Sequence, residues 1–450
     1  MDHMKRSRIR FAMTAGLSLT ITAAVTANPG DPWWDTAMGT PGFGEGYVAS
    51  FEPFDDGGSV HLYAAGSFGI PAGSGKGDIA RWNGADWETV GGQLDNWATD
   101  MAVFDGKLFV GGYFNSAGGV AGTDKIAAWD GTEWAGIGAQ LESWQSSVWA
   151  LQAFDDGSGE ALYIGGNYLN IAGVGLDHLA RWDGETFSDV GGPLGGAVPL
   201  LLKAFHVFDD GDGPALYAGG RFITLGGVTV NHIAKWNGSS WEPLGTGLSG
   251  SGVGVGTHAM TTFDDGTGAA LFVGGHSFTS AGGVPATRIA KWDGTQWYGL
   301  GDGLDGTVEG LAVYDDGSGF ALYAVGGFEH SGTQSLMHIA RWDGVEWSAV
   351  GAGMNDNVYG ISVFDGGDGP RLCVGGSFTT VDGLSSNRVA QYVAGESGVV
   401  GDVTGDGVVD VLDLLQVLGA WGPCPGCPED ITGDDIVDVL DLLEILANWS

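Results

Sequence analysis

Basic residues are scarce in this chain. Lys and Arg number 17 in 450 residues against 55 Asp and Glu, a formal net charge of −38. A surface of that sign repels nucleic acid and anionic membranes and argues against both, while it favours cations and cationic partners. Cysteine is rarer still, with three residues. Cys373 lies in an apolar run, LCVGGSF, and reads as core. Cys424 and Cys427 form CPGC near the C-terminus, which in an exported chain reads as a local disulfide. A zinc site is weakly supported, because no second CxxC completes it. Long apolar runs are missing too. The stretch Phe11–Ala24 holds about 14 residues where a bilayer span needs about 20. It follows Lys5, Arg6, Arg8 and Arg10 and precedes Val25-Thr26-Ala27, so residues 1–27 read as a signal peptide. Its removal leaves 13 basic against 54 acidic residues, with no membrane span and a secreted or cell-surface destination. Catalytic signatures are absent: there is no G-x-S-x-G and no H-E-x-x-H. GSGKGD (73–78) echoes a phosphate loop, but Gly77 stands where Ser or Thr is required.

What is abundant is glycine, at 85 residues, alongside 43% hydrophobic residues and a mean hydropathy of +0.08. A disordered glycine-rich polymer would lack that apolar content, so the glycines punctuate many short elements. Self-comparison shows how. IARWNGADW from Ile79 recurs from Ile126, Leu179, Ile233, Ile289 and Ile339, and ends as VAQYVAG from Val389. The spacings are 47, 53, 54, 56, 50 and 50 residues. Between the copies lie runs such as LYAAGSF, LFVGGYF and LYIGGNY, each preceded by an apolar run ending in Phe-Asp or Tyr-Asp. One period therefore holds four β-type runs separated by Asp-Gly, Asn-Gly or Gly-Gly turns. Four strands in about 50 residues, repeated, is the pattern of propeller blades. PWWDTAMG (32–39) matches the fourth strand of a unit and RVAQYVAG (388–395) the third. The fold predicted for residues 28–393 is thus an all-β, seven-bladed propeller whose last blade is closed by the N-terminal strand, with Trp34–Met38 pairing Val389–Val393.

The unit resembles kelch-type repeats, and still more the propeller repeats of Rax2-like cortical proteins, through its GG-F-T-x-A-G-G and I-A-R-W-D-G-x-x-W patterns. The resemblance spans residues 33–393. It implies a fold and little about activity, since such propellers include enzymes and binding scaffolds.

Composition shifts after Gly398, leaving 394–400 as a linker. GDVTGDGVVDVLDLL (401–415) and EDITGDDIVDVLDLL (429–443) are duplicates offset by 28 residues. Oxygen ligands fall at calcium-loop positions: Asp402, Thr404, Asp406, Asp410 and Asp413, with the Val408 carbonyl, and Asp430, Thr432, Asp434, Asp438 and Asp441, with the Ile436 carbonyl. Hard oxygens at this spacing suit Ca2+ better than Mg2+. Two such loops, each followed by one helix, resemble a type I dockerin over residues 401–450. That resemblance implies calcium-dependent docking onto a protein partner, cohesin-like or an envelope protein. Thr404 and Thr432 stand where Asn is common, Asp435 stands where Gly is common, and Val411-Leu412 and Val439-Leu440 stand where recognition hydroxyls are common. A greasier contact is implied. Leu414, Val417, Leu418 and Trp421, like Leu442, Ile445, Leu446 and Trp449, are spaced to pack as core.

Within the propeller, the tryptophans of the repeat read as blade packing. Arg81, Arg181, Lys235, Lys291 and Arg341 could cover those rings or pair with acidic turns. His178, His232 and His338 share one register with Asp78, Lys125, Arg288 and Arg388, which reads as a solvated strand start rather than a metal site. Asp pairs such as Asp155-Asp156 and Asp315-Asp316 read as turn chemistry. Trp97, Trp144 and Trp149 fall outside the repeated register, near loops of the face where a ligand, a glycan among the candidates, would bind. Three functions compete: an exported binding scaffold with a docking tail and no catalytic role, a glycoside hydrolase or lyase of a polysaccharide-degrading assembly, and a cell-surface adhesion protein.

Overall fold

The computed structural model describes residues 32–69, 78–139, 141, 146–168, 170–196, 199–251, 254–395, 411–423, 431 and 436–447. The chain divides into two compact units. One comprises residues 34–314 and 320–392 and holds nearly all of every four-stranded sheet; the other includes both helices and the short pairing of Gly422–Pro423 with Ile436–Val437.

The first unit is all-β and propeller-like. Seven four-stranded antiparallel sheets are described. In six of them the strands follow chain order, as in the fifth: Gly256–Asp264, Ala269–His276, Ile289–Trp292 and Trp297–Gly299. The seventh takes Val358–Asp365, Pro370–Gly376 and Val389–Val393 from the end of the chain and Trp33–Asp35 from its start. This N-terminal strand ends sooner than its sequence pattern predicts. The Asp35 carboxylate accepts the Ala37 N–H at 2.8 Å and turns the chain before Met38 can join the ladder. Six buried apolar clusters each combine two neighbouring sheets, and one of them joins the last sheet to the first through Phe364, Cys373 and Val389 with Val48, Phe51 and Leu62.

The repeated tryptophans hold those layers together. The two of each unit sit side by side on adjacent strands, as Trp292 and Trp297 do with ring centroids 5.3 Å apart. The indole N–H of the second reaches the neighbouring sheet. Trp241 donates to Val190 O at 2.7 Å, Trp297 to Leu244 O at 2.8 Å, Trp347 to Leu300 O at 3.2 Å and Trp87 to Met38 O at 3.1 Å. In the seventh sheet Trp34 and Tyr392 take their places, 4.9 Å apart, so the same contact ties the chain ends.

The acidic turns and the basic residue of the motif form one device. The first Asp of each pair accepts turn N–H groups, as Asp155 does from Gly157 at 2.8 Å and Gly159 at 2.9 Å. The second faces inward. Asp56 binds Arg81 at 2.5 Å, Asp210 binds Lys235 at 2.5 Å and Asp265 binds Lys291 at 2.6 Å. Tyr63, Tyr163 and Tyr217 donate to Asp56, Asp156 and Asp210.

Two expectations are corrected. The position of His178, His232 and His338 is buried, not solvated. These residues, with Lys125, Arg288 and Arg388, adopt positive φ of 59–76°. Their backbone joins the second strand on both sides: the Gly166 N–H donates to His178 O, and the His178 N–H to Tyr168 O. Lys125 spends its ammonium on Tyr113 O and Asn115 Oδ1. Segments expected as plain loops also form small hairpins, Thr224–Leu225 with Val228–Thr229 and Ser280–Ala281 with Val284–Pro285 among them.

In the second unit, helices α1 (Val411–Gly419) and α2 (Val439–Ala447) meet through Val417, Val437 and Ile445. Leu414 and Leu442 pack against them, but Leu418, Trp421 and Leu446, expected in the core, are exposed. One neighbouring helix covers a single stripe of a cylinder that is apolar over a wider arc. Trp449 lies outside the described residues. Among those residues no helix is long and apolar enough to cross a membrane.

Candidate functional site at the propeller axis

The first strand of every sheet lines the axis, and in six of them a register slip marks one extra residue. The register slips between Val48 and Ser50, Ala98 and Asp100, Val148 and Ala150, Leu202 and Ala204, Thr257 and Ala259, and Val358 and Gly360. Such a bulge leaves one residue out of the ladder and re-aims its side chain. The residues so placed are Ala49, Thr99, Trp149, Lys203, His258 and Tyr359, and Glu309 holds the matching place in the sixth strand. All seven line one axial cavity of about 490 Å³, above an apolar floor that includes Phe51, Leu151, Phe205 and Met260.

The cavity mouth has two unlike halves. On one side five aromatic rings follow each other around the rim. Tyr359 lies 5.2 Å from Tyr47, Tyr47 6.5 Å from Trp97, Trp97 5.2 Å from Tyr113 and Tyr113 5.6 Å from Trp149. The Lys203 ammonium closes the arc 5.6 Å from the Trp149 ring. On the other side Lys203, His258 and Glu309 form a triangle. Lys203 Nζ donates to Glu309 Oε2 at 2.7 Å, and His258 Nδ1 lies 3.0 Å from that ammonium and 3.1 Å from the same carboxylate oxygen. His276 stacks on His258 at 6.0 Å, its Nδ1 bonded to Thr307 Oγ1 at 2.8 Å.

Protonation follows from this packing. Burial alone would raise the Glu309 carboxyl, but the Lys203 charge and His258 override it and hold it well below the usual range. His258 is lowered by desolvation and then by Lys203, so its imidazole is neutral near pH 7. Two further carboxyls shift the other way. Asp100 is pushed up to about 6 by burial, although the Leu151 N–H donates to it at 2.9 Å. Glu52, on the first inner strand, is pushed up to about 8 by burial and then by the Asp100 charge.

Of the residues singled out in the sequence, Trp149 lies in the cavity, and Trp97, 43% exposed, flanks the lining residue Tyr47. Trp144 lies outside the described residues. Lys203, His258, Glu309 and Tyr359 were missed. Their signal was a single column of the repeat that reads Ala, Thr, Trp, Lys, His, Glu, Tyr, between columns of mostly small or apolar residues. Of the calcium-loop residues, Ile436, Asp413, Asp438 and Asp441 are described. Asp413 and Asp441 are fully buried in the first turns of α1 and α2. The Asp438 carboxylate caps α2 by accepting the Leu440 N–H at 2.7 Å, and Asp441 accepts the Asp438 N–H at 2.8 Å. Asp402, Thr404, Asp406, Val408, Asp410, Asp430, Thr432, Asp434, Cys424 and Cys427 lie outside the described residues. Cys373 is buried and unpaired, its thiol pushed up to about 12 by burial.

No family model matches the chain, and no curated protein matches it. Among solved structures, the extracellular domain of a hybrid two-component system from B. thetaiotaomicron aligns at 12% identity and a TM-score of 0.46, over 80% of this chain and 39% of its own. A GH74 xyloglucanase from Xanthomonas campestris aligns at 11% identity and a TM-score of 0.42, over 78% of this chain and 44% of its own. The chain thus spans about two-fifths of the length of these structures. A likeness this distant says nothing about ligand or activity.

Proposed function

We propose that this protein is an exported binding scaffold: a seven-bladed propeller over residues 28–393 that takes a ligand at its axial mouth, linked by 394–400 to a calcium-dependent, dockerin-like docking tail over 401–450. One observation carries the ligand reading. The fold uses the same bulge in successive inner strands to aim one side chain at the axis, and that side chain differs in every unit while the packing residues repeat. Seven unlike side chains on one cavity serve recognition, since packing would reuse one type. A glycan array followed by calorimetry tests it, with Trp149→Ala expected to lower affinity at least 10-fold and leave melting nearly unchanged. Equal binding by the variant would refute the axial site.

The tail reading rests on the duplicated ligand pattern and on the matching placement of both helices. Each helix begins one residue after the ninth loop position and buries the carboxylate of the twelfth, Asp413 and Asp441. That placement fits a hard cation, to which a loop of this kind offers the carboxylate of its twelfth position. The other ligands would be Asp402, Thr404, Asp406, Asp410 and the Val408 carbonyl, and Asp430, Thr432, Asp434, Asp438 and the Ile436 carbonyl. Bound calcium would offset repulsion among these carboxylates and so stabilise the module. Val411, Leu415 and Leu418 on α1 and Val439, Leu440 and Leu443 on α2 are exposed, which suits an apolar docking contact. Chelation should lower helical circular dichroism and abolish calcium-dependent pull-down. Unchanged spectra would reject it.

An enzymatic reading has one observation in its favour. Asp100 and Glu309 line the same cavity, one pushed toward the protonated form and the other held ionised. Release of reducing ends from a polysaccharide, lost in Asp100→Asn, would favour it over simple binding.

A further inference from the structure

The charged half of the mouth brings basic groups together in an acidic protein. Lys203 and His258 lie in the cavity, and His276 stacks behind His258. Arg221, at the end of the second strand of the fourth sheet, lies beside His276. A methyl group added at Gly254 would meet Arg221 Nη2 at 3.2 Å and His276 Cδ2 at 3.3 Å, so the two side chains flank one glycine. Arg221 Nε is buried and has no hydrogen-bond partner among the described residues. Arg288 acts on His276 as well, although one of its N–H groups donates to Leu304 O at 3.1 Å. Glu309 is the counter-charge, and it engages Lys203 and His258 while Arg221 stays open. In this half of the mouth, with both histidines neutral, Lys203 and Arg221 outweigh Glu309 by one positive charge, in a chain whose net charge is −38; the cavity's other carboxyl, Asp100, is held by Ser50 and the Leu151 N–H on the strands of the aromatic half. That balance suits one carboxylate and is too small for a polyphosphate.

The other half constrains the rest of the ligand. The rings of the arc are tilted or edge-on to one another and open to solvent at Trp97. Three of the rings, Tyr47, Tyr113 and Tyr359, carry hydroxyls, and that of Tyr359 accepts from Asn357 Nδ2 at 3.4 Å. An open curved row of rings with hydroxyls suits a ligand with C–H faces and many hydroxyls, whereas a flat aromatic acid needs a closed apolar slot. Trp149 Nε1 is buried without a hydrogen-bond partner among the described residues.

We infer that the axial site takes an acidic carbohydrate of the uronic-acid type, with sugar rings along the Tyr359–Trp149 arc and a carboxylate directed at Lys203, Arg221 and the paired histidines. This deepens the axial-site reading and rests on it. Calorimetry on the full chain with an oligogalacturonate and its methyl ester separates the two, because esterification removes the charge and keeps the sugar. The acid should bind at least 10-fold more tightly than the ester, and the gap should shrink as salt is raised. The Lys203→Met/Glu309→Gln pair should abolish the gap and leave ester binding in place, while Trp149→Ala should weaken both ligands. If the double variant melts early, Arg221→Gln replaces it and should narrow the gap severalfold. Equal affinity for acid and ester overturns the acidic class, and the axial site itself survives if Trp149→Ala still weakens both. Binding of neither sugar, or binding of a phenolic acid in their stead, overturns the inference as a whole.

Discussion

The outer and inner strands of each sheet obey opposite rules. In the third and fourth strands two aromatic residues return unit after unit, paired and largely buried, and in four units the second is hydrogen bonded across to the preceding unit. In the first strand the bulged residue changes from Ala to Trp to Lys to Glu. Repetition therefore locates the scaffold and variation locates the site, and substitutions should divide along that line. The largest effect is expected at Trp297, which is 4% exposed and joins the fourth and fifth sheets. Trp297→Ala should cost about 3–5 kcal/mol, from the cavity and the lost bond to Leu244 O, read as a lower denaturant midpoint. A cost comparable to that of Trp149→Ala would erase the distinction.

The acidic turns sharpen the same contrast. Lys291 and Asp265 are each only 8% exposed and lie 2.6 Å apart, with Lys291 also bonded to Thr267 Oγ1. Lys291→Met leaves the Asp265 carboxylate buried without its partner and should cost about 2 kcal/mol. Adding Asp265→Asn should restore part of the loss. A single variant as stable as the wild type would mean the motif's basic residue contributes only its hydrocarbon stem.

Acid–base behaviour should divide the two regions as well. Burial opposes ionisation of Asp56, Asp210 and Asp265, but their Arg or Lys partners prevail and lower all three. Their stabilisation is complete above the ordinary carboxylate value of about 4 and is lost as pH falls below it. Two carboxyls of the inner strands run the other way, unlike Glu309. Glu52 is raised from 4.5 to about 8 and Asp100 from 3.8 to about 6, so their contribution is complete below the lower value and lost as pH climbs through the upper one. Stability should therefore peak near pH 5 and decline toward pH 8. Glu52→Gln should flatten the alkaline limb, by on the order of 1–2 kcal/mol at pH 8. An alkaline limb unchanged in that variant would show that Glu52 ionises freely in the folded protein.

How much of this was legible beforehand depended on periodicity. Strand number, turn placement and the pairing of the chain ends could be read from residues that recur, such as Trp342 and Trp347. The axial ring could not be read by alternation, because an extra residue at Trp149 or His258 inverts the facing of everything before it. Trp149 was found because it broke the tryptophan register, whereas Lys203 and Glu309 looked like ordinary strand polar residues. The helices failed for a different reason. Leu418 and Leu446 have the spacing of core residues, but spacing alone does not say how wide an arc a single neighbour covers.

The smallest effect on stability is also the most discriminating. Trp97 precedes the inner strand of the second sheet, is 43% exposed and touches Tyr47 and Tyr113 by ring edges at 6.5 and 5.2 Å. An exposed ring with two edge contacts contributes little to folding, so Trp97→Ala should shift stability by less than about 0.5 kcal/mol. The same change removes the most accessible ring of the arc and should weaken an axial ligand severalfold. A melting point several degrees lower would place Trp97 with the scaffold, and the aromatic half of the mouth would then be packing carried around the rim.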